Sequence, residues 1–479
     1  MNAAVVLAAG KGTRLRSSVP KVLHRVAGRP LLGWVLEALR PLDCDAVVVV
    51  VGHGGQEVAA YADTLGITGL TCVTQAQQLG TGHAVRVALE SGHLATAGEV
   101  LVVAGDVPAL TTDSLRRLSA ERGSASAAVL TTRLQDPRGY GRIIRVGERI
   151  TGIVEQADAD ESQLAIDEVN TGLFAFDATS LARALGQITT DNAQGEEYLT
   201  DTVALLAAQD TVRGVEVDGD DVRGVNDREQ LAQVEQLLRG RILGQLMRDG
   251  VRIIDPDSTY VEVDVMVQPD ACLLPGVLLH GHTRIAENAT VGPYSQLTDT
   301  VVESGATVAF TVATQAHIGR DAAVGPYTHL RPGTVLHAGS KAGGFVEMKN
   351  AVIGEGSKVP HLSYVGDARL GQGVNFGAGS ITVNYDGFDK FTTTIADGAF
   401  IGSDSMLVAP VDIGAGAFVG AGSTITTDVP ADALAVERAE RRTIEGWAAR
   451  KRDRHAARTD AASDPSQANP DQPTNEQGE

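Results

Sequence analysis

The sequence predicts an α/β domain with a mostly parallel sheet, followed by a parallel β-helix. The β-helix is predicted by aliphatic residues that return every six positions between Val267 and about Thr427, a period that neither an α-helix nor an ordinary strand produces. The α/β domain is predicted by short apolar runs that alternate with helical patterns over residues 1–227. A long amphipathic segment connects the two regions.

The apolar runs of the N-terminal region resemble buried parallel strands in length and composition. They cover residues 3–9, 45–51 and 100–104, and helical patterns cover residues 31–39 and 83–90. Continuous apolar runs of this length are typical of strands that are covered on both faces. Residues 228–247 then carry apolar side chains at helical spacing, and Gly250 marks the predicted end of that helix.

The hexads are spaced so that tight corners can separate very short strands. A glycine often follows the aliphatic residue, and a small residue often stands four positions after it. Coils of this kind stack and bury one continuous aliphatic core. The aliphatic positions are Val267, Leu273, Leu279, Ile285, Val291, Leu297, Val312, Ile318, Val324, Leu330, Leu336, Ile353, Val359, Val365, Leu370, Phe376, Ile395, Ile401, Leu407, Ile413, Val419 and Ile425.

These patterns divide the chain into four predicted segments. Residues 1–227 form the α/β domain, residues 228–250 a helical linker and residues 251–455 the β-helix. Residues 456–479 are too polar to bury a core, and we expect them to form a disordered tail.

Composition excludes several classes of function. The 479 residues carry a net charge of −20, which argues against a general nucleic-acid surface but allows local basic pockets for phosphates. The three cysteines are too few and too scattered for a disulfide framework. No apolar run approaches the ~18 residues that cross a bilayer. We expect a cytoplasmic protein that binds neither nucleic acid nor membrane.

A glycine-rich turn after the first predicted strand supplies groups that suit a phosphate. Gly10 and Gly12 let backbone N–H groups approach it, while Lys11, Arg14 and Lys21 supply positive charge. The turn is not a Walker A loop, because Gly12 stands where Ser or Thr must follow the lysine. An ordinary strand-to-helix turn with solvated lysines is the alternative.

Asp106 follows another predicted strand, at the sheet edge where ligands bind in open parallel sheets. A carboxylate there can hold Mg²⁺, which takes one or two protein oxygens together with substrate phosphates. A helix cap is the alternative role for this residue.

Several segments resemble a known family. Residues 7–14 with Pro20-Lys21 resemble the signature of sugar-1-phosphate nucleotidyltransferases, and the resemblance extends from Ala3 to Trp447 for one family among them, the bacterial bifunctional N-acetylglucosamine-1-phosphate uridyltransferase/glucosamine-1-phosphate N-acetyltransferases. It implies an α/β nucleotidyltransferase domain with a Rossmann-like sheet, the connecting helix, and a left-handed parallel β-helix that trimerises. The further segments are Gln75, Leu79-Gly80-Thr81-Gly82-His83-Ala84, Tyr140-Gly141-Arg142, Val154-Glu155, Asn170-Thr171-Gly172 and Gly224-Val225-Asn226.

The resemblance implies a uridyltransferase site in the first domain. Asp106 and Asn226 would bind Mg²⁺, and a phosphate oxygen of N-acetylglucosamine-1-phosphate would attack the α-phosphorus of UTP in line. Ala104 stands where many relatives have a polar residue, so no side-chain contact is transferred there. The implied substrate-binding residues are Leu7, Ala8, Ala9, Gly10, Arg14, Lys21, Gln75, Gly80, Thr81, Gly141, Glu155, Asn170 and Asn226.

The hexad frame breaks at residues 342–351 and 384–390, and insertions in a solenoid become loops, often on the binding face. Polar residues gather around both breaks. Arg331 and Lys349 could clamp a phosphate, and His361 could take a proton from an amine. Solvated surface charges, an exposed corner histidine and packing of the Tyr385 ring are the alternatives.

The resemblance implies that acetyl-CoA acetylates glucosamine-1-phosphate in clefts between the subunits of a homotrimer, with His361 as general base. The product would feed the first site, which makes UDP-N-acetylglucosamine, a precursor of peptidoglycan and lipopolysaccharide. The implied sugar-phosphate residues are Arg331, Lys349, Tyr364, Asn375 and Lys390, and the implied acetyl-CoA residues are Ala378, Asn384, Tyr385, Ser403, Ala421 and Arg438.

Two other hypotheses remain open on the sequence. The hexads of a nucleotidyltransferase could serve only to trimerise it or to sense an effector, against which His361 and Asn384-Tyr385 argue. The chain could instead be a trimeric scaffold with a degenerate first site, against which Lys21, Asp106 and Asn226 argue.

Overall fold

A computed structural model describes residues 2–462 of the chain. The helices are α1 Leu31–Leu39, α2 Gly55–Thr64, α3 Thr81–Glu90, α4 Thr112–Arg122, α5 Glu161–Leu164, α6 Ala178–Leu185, α7 Asp201–Ala207, α8 Arg228–Arg248 and α9 Trp447–Ala462. Short 3₁₀ helices lie at Thr13–Leu15, Lys21–Leu23, Arg40–Leu42, Gly219–Asp221 and Pro256–Ser258.

The strands fall into two sets. Those before α8 are β1 Asn2–Ala8, β2 Arg25–Val26, β3 Arg29–Pro30, β4 Ala46–Val51, β5 Leu70–Thr74, β6 Glu99–Ala104, β7 Ala127–Arg133, β8 Arg142–Val146, β9 Arg149–Val154, β10 Glu168–Asp177 and β11 Val212–Glu216. Those after α8, β12–β39 in chain order, are Arg252–Ile253, Tyr260–Val261, Met266–Val267, Cys272–Leu273, Leu278–His280, Arg284–Ile285, Thr290–Val291, Gln296–Thr298, Val301–Val302, Thr307–Val308, Thr311–Thr314, His317–Ile318, Ala323–Val324, Thr328–Leu330, Val335–Leu336, Lys341–Gly344, Glu347–Ile353, Lys358–His361, Tyr364–Leu370, Asn375–Phe376, Ile381–Val383, Thr393–Ile395, Phe400–Ile401, Met406–Val408, Val411–Ile413, Phe418–Val419, Thr424–Ile425 and Leu434–Ala435.

The N-terminal domain is built on a mostly parallel sheet, as predicted. Its strand order is β11-β7-β10-β6-β1-β4-β5, with β1 parallel to β4 and β6 and with β10 antiparallel to β6 and β7. Successive residues of β1 belong to the apolar cores on opposite faces of the sheet. This burial on both faces explains why the strand is a continuous apolar run.

Helix α8 joins the two regions by packing against both. The Asp227 side chain caps its N-terminus by accepting a hydrogen bond from the Gln230 N–H. Val234 and Leu238 pack with residues of the N-terminal domain, while Leu243 belongs to the core of the repeats.

The repeats form a three-sided parallel β-helix. Face 1 contains β12, β15, β18 and the strands that continue this ladder to β39; face 2 contains the ladder from β13 to β38, and face 3 the ladder from β14 to β36. Tyr260 pairs with Leu278, 18 residues later, so three hexads make one coil. The inward aliphatic residues, from Leu273 to Ile425, form one continuous buried cluster. Val312 is the exception to the prediction: its side chain is exposed, and Ala313 takes the inward position.

The two breaks in the hexad frame differ, which corrects one prediction. At residues 342–351 no loop forms: Glu347 pairs with Tyr364, 17 residues later, and β28 runs through the corner with Asn350 at a φ of 47°. At residues 384–390 a loop does form, since Ala368 pairs with Thr393, 25 residues later. The first break only shortens a coil by one residue, so no residues loop out of the β-helix.

The structure also differs from the prediction of a disordered tail. Residues 456–462 continue α9, because four of these seven residues are alanine, which favours helix without tertiary contacts. The remainder of the predicted tail, residues 463–479, lies outside the described residues. Among residues 2–462, no helix is long and apolar enough to cross a membrane.

Candidate functional sites

The first candidate site is a cleft at the carboxyl ends of β1 and β6. Leu7 pairs with Ala104, so the turns that follow both strands meet at one edge of the sheet. The cleft has a volume of about 600 Å³. It is lined by Leu7, Ala8, Ala9, Gly10, Lys11, Gly12, Thr13, Lys21, Val22, Gln75, Gln78, Gly80, Thr81, Ala84, Ala104, Asp106 and Glu196.

Lys21 joins the two residues predicted to bind metal. Its Nζ forms an ion pair with Asp106 Oδ2 and donates a 2.9 Å hydrogen bond to Asn226 Oδ1. Arg14 donates a 3.2 Å hydrogen bond to the same amide oxygen. A carboxylate and an amide oxygen therefore converge on one cation, and this donor set suits Mg²⁺. No group of three or more His, Cys, Asp or Glu side chains within the described chain could hold a metal.

The predicted nucleotide-binding residues on the other side of the cleft hold one another in place. Gln75 is buried, and its Nε2 donates a 3.0 Å hydrogen bond to the Gly80 carbonyl and lies 2.9 Å from His83 Nδ1. Gly80 has a φ of +111°, and a Cβ there would lie 2.4 Å from the Glu197 carbonyl oxygen. This position therefore requires glycine.

The residues predicted to bind the sugar lie together on β10 and at the ends of β8 and β9, and they are not among the residues that line the cleft. The Asn170 N–H donates a 2.8 Å hydrogen bond to the Gly141 carbonyl. A Cβ on Gly141 would lie 3.4 Å from both carboxylate oxygens of Glu155. The Thr200 hydroxyl donates a 3.0 Å hydrogen bond to Glu155. Burial raises the pKa of the Glu155 carboxyl, although the Thr200 hydrogen bond opposes it.

Residues 197–200 connect the nucleotide side of the site to the sugar side. The Leu199 N–H donates a 3.0 Å hydrogen bond to the Thr81 hydroxyl, and the next residue, Thr200, contacts Glu155. Arg86 and Glu197 form an ion pair at the start of this segment, in which one guanidinium nitrogen, Nη2, donates to both carboxylate oxygens. A shift of this segment would therefore displace residues on both the nucleotide side and the sugar side of the site.

The second candidate site follows the corner between face 1 and face 2. Backbone hydrogen bonds of 2.8 to 3.3 Å tie successive coils together along this corner. His361 is exposed there at the end of β29, and a Cβ on Gly422, at the far end of the column, would lie 3.9 Å from the Arg438 side chain. Small side chains leave a track on which an elongated ligand could lie. In order along the β-helix, the column holds His361, Ala378, Ser403 and Ala421.

A group of basic side chains lies at the corner between face 2 and face 3. Contact with Lys390, followed by the nearby charge of Arg331, lowers the pKa of Lys349. Arg331 also forms a 3.0 Å ion pair with Glu347. Three cations at one corner suit a phosphate group.

The loop of residues 384–390 is anchored at this second corner. Asn384 donates a hydrogen bond from Nδ2 to Asp367, which also accepts a 2.7 Å hydrogen bond from Asn350. The Tyr385 hydroxyl donates a 2.6 Å hydrogen bond to the Gly387 carbonyl within the loop.

One chain does not bring all the predicted acetyltransferase residues together. His361, Ala378, Ser403 and Ala421 occupy the first corner, whereas Arg331, Lys349, Asn384, Tyr385 and Lys390 occupy or adjoin the second. Tyr364 lies between them at the start of face 2, and Asn375 lies on face 1, where it pairs with Lys358. The six steps from Ala378 to Asn384 span at most about 20 Å at the rise of an extended strand.

Sequence reasoning missed three polar residues at these sites. Gln78 donates a 2.6 Å hydrogen bond from Nε2 to the Ala9 carbonyl, and Glu196 also lines the cleft. Asp367 holds the inserted loop. No local pattern marks these residues, because Gln78 contacts a segment 69 residues away and Asp367 contacts a neighbouring coil 17 residues away.

Comparisons with known families agree with this architecture. Residues 4–200 match a family model described as MobA-like NTP transferase domain, and residues 392–427 match one described as bacterial transferase hexapeptide with six repeats. With the stacked parallel strands, these matches confirm the predicted fold class, an α/β nucleotidyltransferase domain, a long connecting helix and a left-handed parallel β-helix.

Similar proteins match over nearly the full chain. A protein of Streptomyces coelicolor named Bifunctional protein GlmU is 51% identical over 461 residues, covering 95% of this chain and 95% of that protein. Proteins of the same name from Mycolicibacterium smegmatis and Desulfitobacterium hafniense are 50% and 46% identical, covering 95% and 94% of this chain and 96% and 99% of their own lengths.

Proposed function

The chain belongs to the GlmU family of bifunctional proteins, and from this premise we propose that it catalyses two successive reactions of UDP-N-acetylglucosamine synthesis. The β-helix transfers the acetyl group of acetyl-CoA to glucosamine-1-phosphate. The N-terminal domain then couples N-acetylglucosamine-1-phosphate to UTP and releases pyrophosphate. The observation that carries the proposal is the match over 95% of the chain, which includes both candidate sites.

In the uridyltransferase site the chain acts by positioning and charge neutralisation. Gln75, Gly80 and Thr81 hold the nucleotide, while Gly141, Glu155 and Asn170 orient the sugar. Lys21 and Arg14 neutralise phosphate oxygens as the sugar phosphate attacks the α-phosphorus in line and pyrophosphate leaves.

The oxygens of Asp106 and Asn226 would hold Mg²⁺, because they already converge on a cation in this chain. When bound, Mg²⁺ supplies further neutralisation of the phosphate charge.

In the acetyltransferase site His361 takes a proton from the glucosamine amine as the nitrogen attacks the thioester carbonyl, and coenzyme A leaves as the thiol. The column of Ala378, Ser403 and Ala421 supports the coenzyme, with Arg438 at its far end. Arg331, Lys349 and Lys390 bind the sugar phosphate, together with Tyr364 and Asn375. Asn384 and Tyr385 complete the coenzyme site from the inserted loop.

We further propose that the active assembly is a cytoplasmic homotrimer in which neighbouring chains complete each acetyltransferase site. Separation of the two corners supports this, because the residues predicted to form one acetyltransferase site lie at two different corners of a single chain. A row of rings also supports it: the rings of Tyr294, Phe310, Tyr327 and Phe345 follow one another along the first corner with centroids 5.2 to 5.7 Å apart, and all but Phe310 are more than half exposed. Exposed apolar surface of this extent is typical of an interface.

We also propose the division into functional units. Residues 1–227 form the uridyltransferase, 228–250 the linker and 251–455 the acetyltransferase. Small-molecule substrates are then the partners of both sites, and nucleic acid and membrane are not.

Thiol release from acetyl-CoA on addition of glucosamine-1-phosphate tests the second activity. The wild-type chain is expected to release thiol, and a folded His361→Ala chain to lose about 10²- to 10⁴-fold in rate. Equal release from both chains would remove His361 from its role. No release from the wild type would leave a uridyltransferase on a structural β-helix.

Asp106→Ala tests the independence of the two sites. It should abolish Mg²⁺-dependent uridyl transfer while acetyl transfer stays near the wild-type rate, because the sites lie in different parts of the fold. A folded trimer that has lost both activities would contradict the two-site proposal.

A further inference from the structure

The Lys21 ammonium lies where a metal ion would have to bind. It contacts both oxygens proposed as metal ligands, Asp106 Oδ2 and Asn226 Oδ1. The Lys21 and Asp106 side chains are only 13% and 21% exposed, so water screens their attraction weakly. Arg14 adds a second cation on the Asn226 oxygen.

The ammonium and a divalent ion compete for these two oxygens. Mg²⁺ binds protein oxygens at about 2.1 Å, and an ammonium hydrogen-bonded to the same oxygens would be a like charge in direct contact with it. Displacement of the ammonium therefore favours binding of the divalent ion.

The glycine-rich turn offers the ammonium another partner. A Cβ on Gly12 would lie 2.6 Å from Lys21 Cβ, so the stem of Lys21 packs directly on this turn. Gly10, Lys11 and Gly12 line the cleft beside it. Phosphates bound at the turn would present their oxygens next to Lys21, and a short rotation of its side chain would bring the ammonium to them.

We propose that in the nucleotide-free protein the Lys21 ammonium occupies the oxygens of Asp106 and Asn226 and so opposes metal binding. The phosphates of a nucleoside triphosphate then attract the ammonium and free these oxygens for the metal. Divalent metal and nucleotide therefore bind with positive coupling, which by linkage acts equally in both directions. This inference rests on the proposed uridyltransferase function and assigns Lys21 a role before the reaction starts.

Binding of Mn²⁺ alone, followed by electron paramagnetic resonance of the free ion with no nucleotide present, tests the inference. Lys21→Met is expected to bind Mn²⁺ at least tenfold more tightly than the wild type, and Lys21→Gln should behave alike. Asp106→Asn in the Lys21→Met background should abolish the gain, which assigns the ion to this pair. Circular dichroism checks that each variant is folded.

Lys11→Met is the matched control. It removes the same charge from the same cleft, but no hydrogen bond or ion pair to Asp106 or Asn226 is found for Lys11 among the described residues. We expect its Mn²⁺ affinity to stay within about threefold of the wild type, because only general attraction changes.

Three results would overturn the inference. They are equal Mn²⁺ affinity in wild type and Lys21→Met, no Mn²⁺ binding by either chain, and an equal gain in Lys11→Met. Each would leave the proposed function standing so long as the wild type transfers uridyl groups and Asp106→Ala does not. Failure of the proposed function would instead appear as a wild type without uridyl transfer.

Discussion

Glu155 shows how the environment of one side chain creates a dependence on pH. Burial raises the pKa of its carboxyl, and the negative charges of Asp201 and Asp158 raise it further. A raised carboxyl pKa means that folding favours the protonated form. The contribution of this group to stability is therefore complete at acid pH and is lost as the pH rises through the raised pKa.

We predict that Glu155→Gln becomes more stable relative to the wild type as the pH rises. Glutamine keeps an oxygen that can accept the Thr200 hydrogen bond but carries no charge to bury. The difference in Tm between variant and wild type should grow more positive from about pH 4 to about pH 8. Glu161→Gln, at an exposed carboxyl in α5, controls for the loss of one charge. A difference in Tm that shrinks with rising pH would contradict the prediction.

Gly80→Ala should impair uridyl transfer and spare acetyl transfer. The new Cβ would collide with the Glu197 carbonyl, and so would move the segment that also contacts the sugar side. A displacement of about 1 Å in a substrate-binding segment costs on the order of 10²-fold in rate. Steady-state assays of both activities provide the measurement.

Gly92→Ala is the matched control for Gly80→Ala. Its glycine has a φ of +78° but nothing within 4 Å of the new Cβ, so it tests the positive φ without the collision. If both variants lost uridyl transfer equally, backbone strain rather than the contact with Glu197 would be responsible.

At the scale of elements, α9 contrasts with the strands that precede it. Its described side chains are exposed, whereas each coil of the β-helix adds fully buried residues such as Leu407. The helix is therefore maintained by local propensity, and the coils by burial of apolar surface.

Truncation after Arg458 should change Tm by less than about 2 °C, because exposed residues contribute within about 0.5 kcal/mol. Leu407→Ala is the contrasting control and should cost about 2–5 kcal/mol. Thermal unfolding followed by circular dichroism measures both. A large fall in Tm on truncation would show that the C-terminal segment makes contacts within the assembly.

In the whole molecule, the positions of the two corners determine whether one chain or two neighbouring chains can form an acetyltransferase site. The column below His361 and the loop that carries Asn384 lie at opposite edges of face 2. Closed symmetry would bring the first corner of one chain to the second corner of the next, and it would generate the same site at every interface.

Mixing inactive chains should therefore restore acetyl transfer. His361→Ala and Asn384→Ala trimers, unfolded and refolded together in equal amounts, should recover about a quarter of the wild-type activity, because that fraction of interfaces has both native residues. Each variant refolded alone provides the control. Mixtures with no more activity than the variants alone would place both residues in a site within one chain.

The architecture follows from patterns in the local sequence. A six-residue aliphatic period can bury its apolar side chains as a coil of short strands, and continuous apolar runs such as residues 46–51 are typical of a sheet covered on both faces. The segments that carry the candidate sites were also predictable, because glycine-rich turns and breaks in a repeat are local signals.

The contacts between groups that are distant in sequence emerge only when the chain is folded. Lys21 and Asn226 are 205 residues apart, and no local pattern in either segment predicts the hydrogen bond between them. The first break in the hexads made no loop, because a single left-handed residue at Asn350 absorbed it. Local sequence specifies periodicity and turns, whereas contacts between distant segments depend on how complete elements pack.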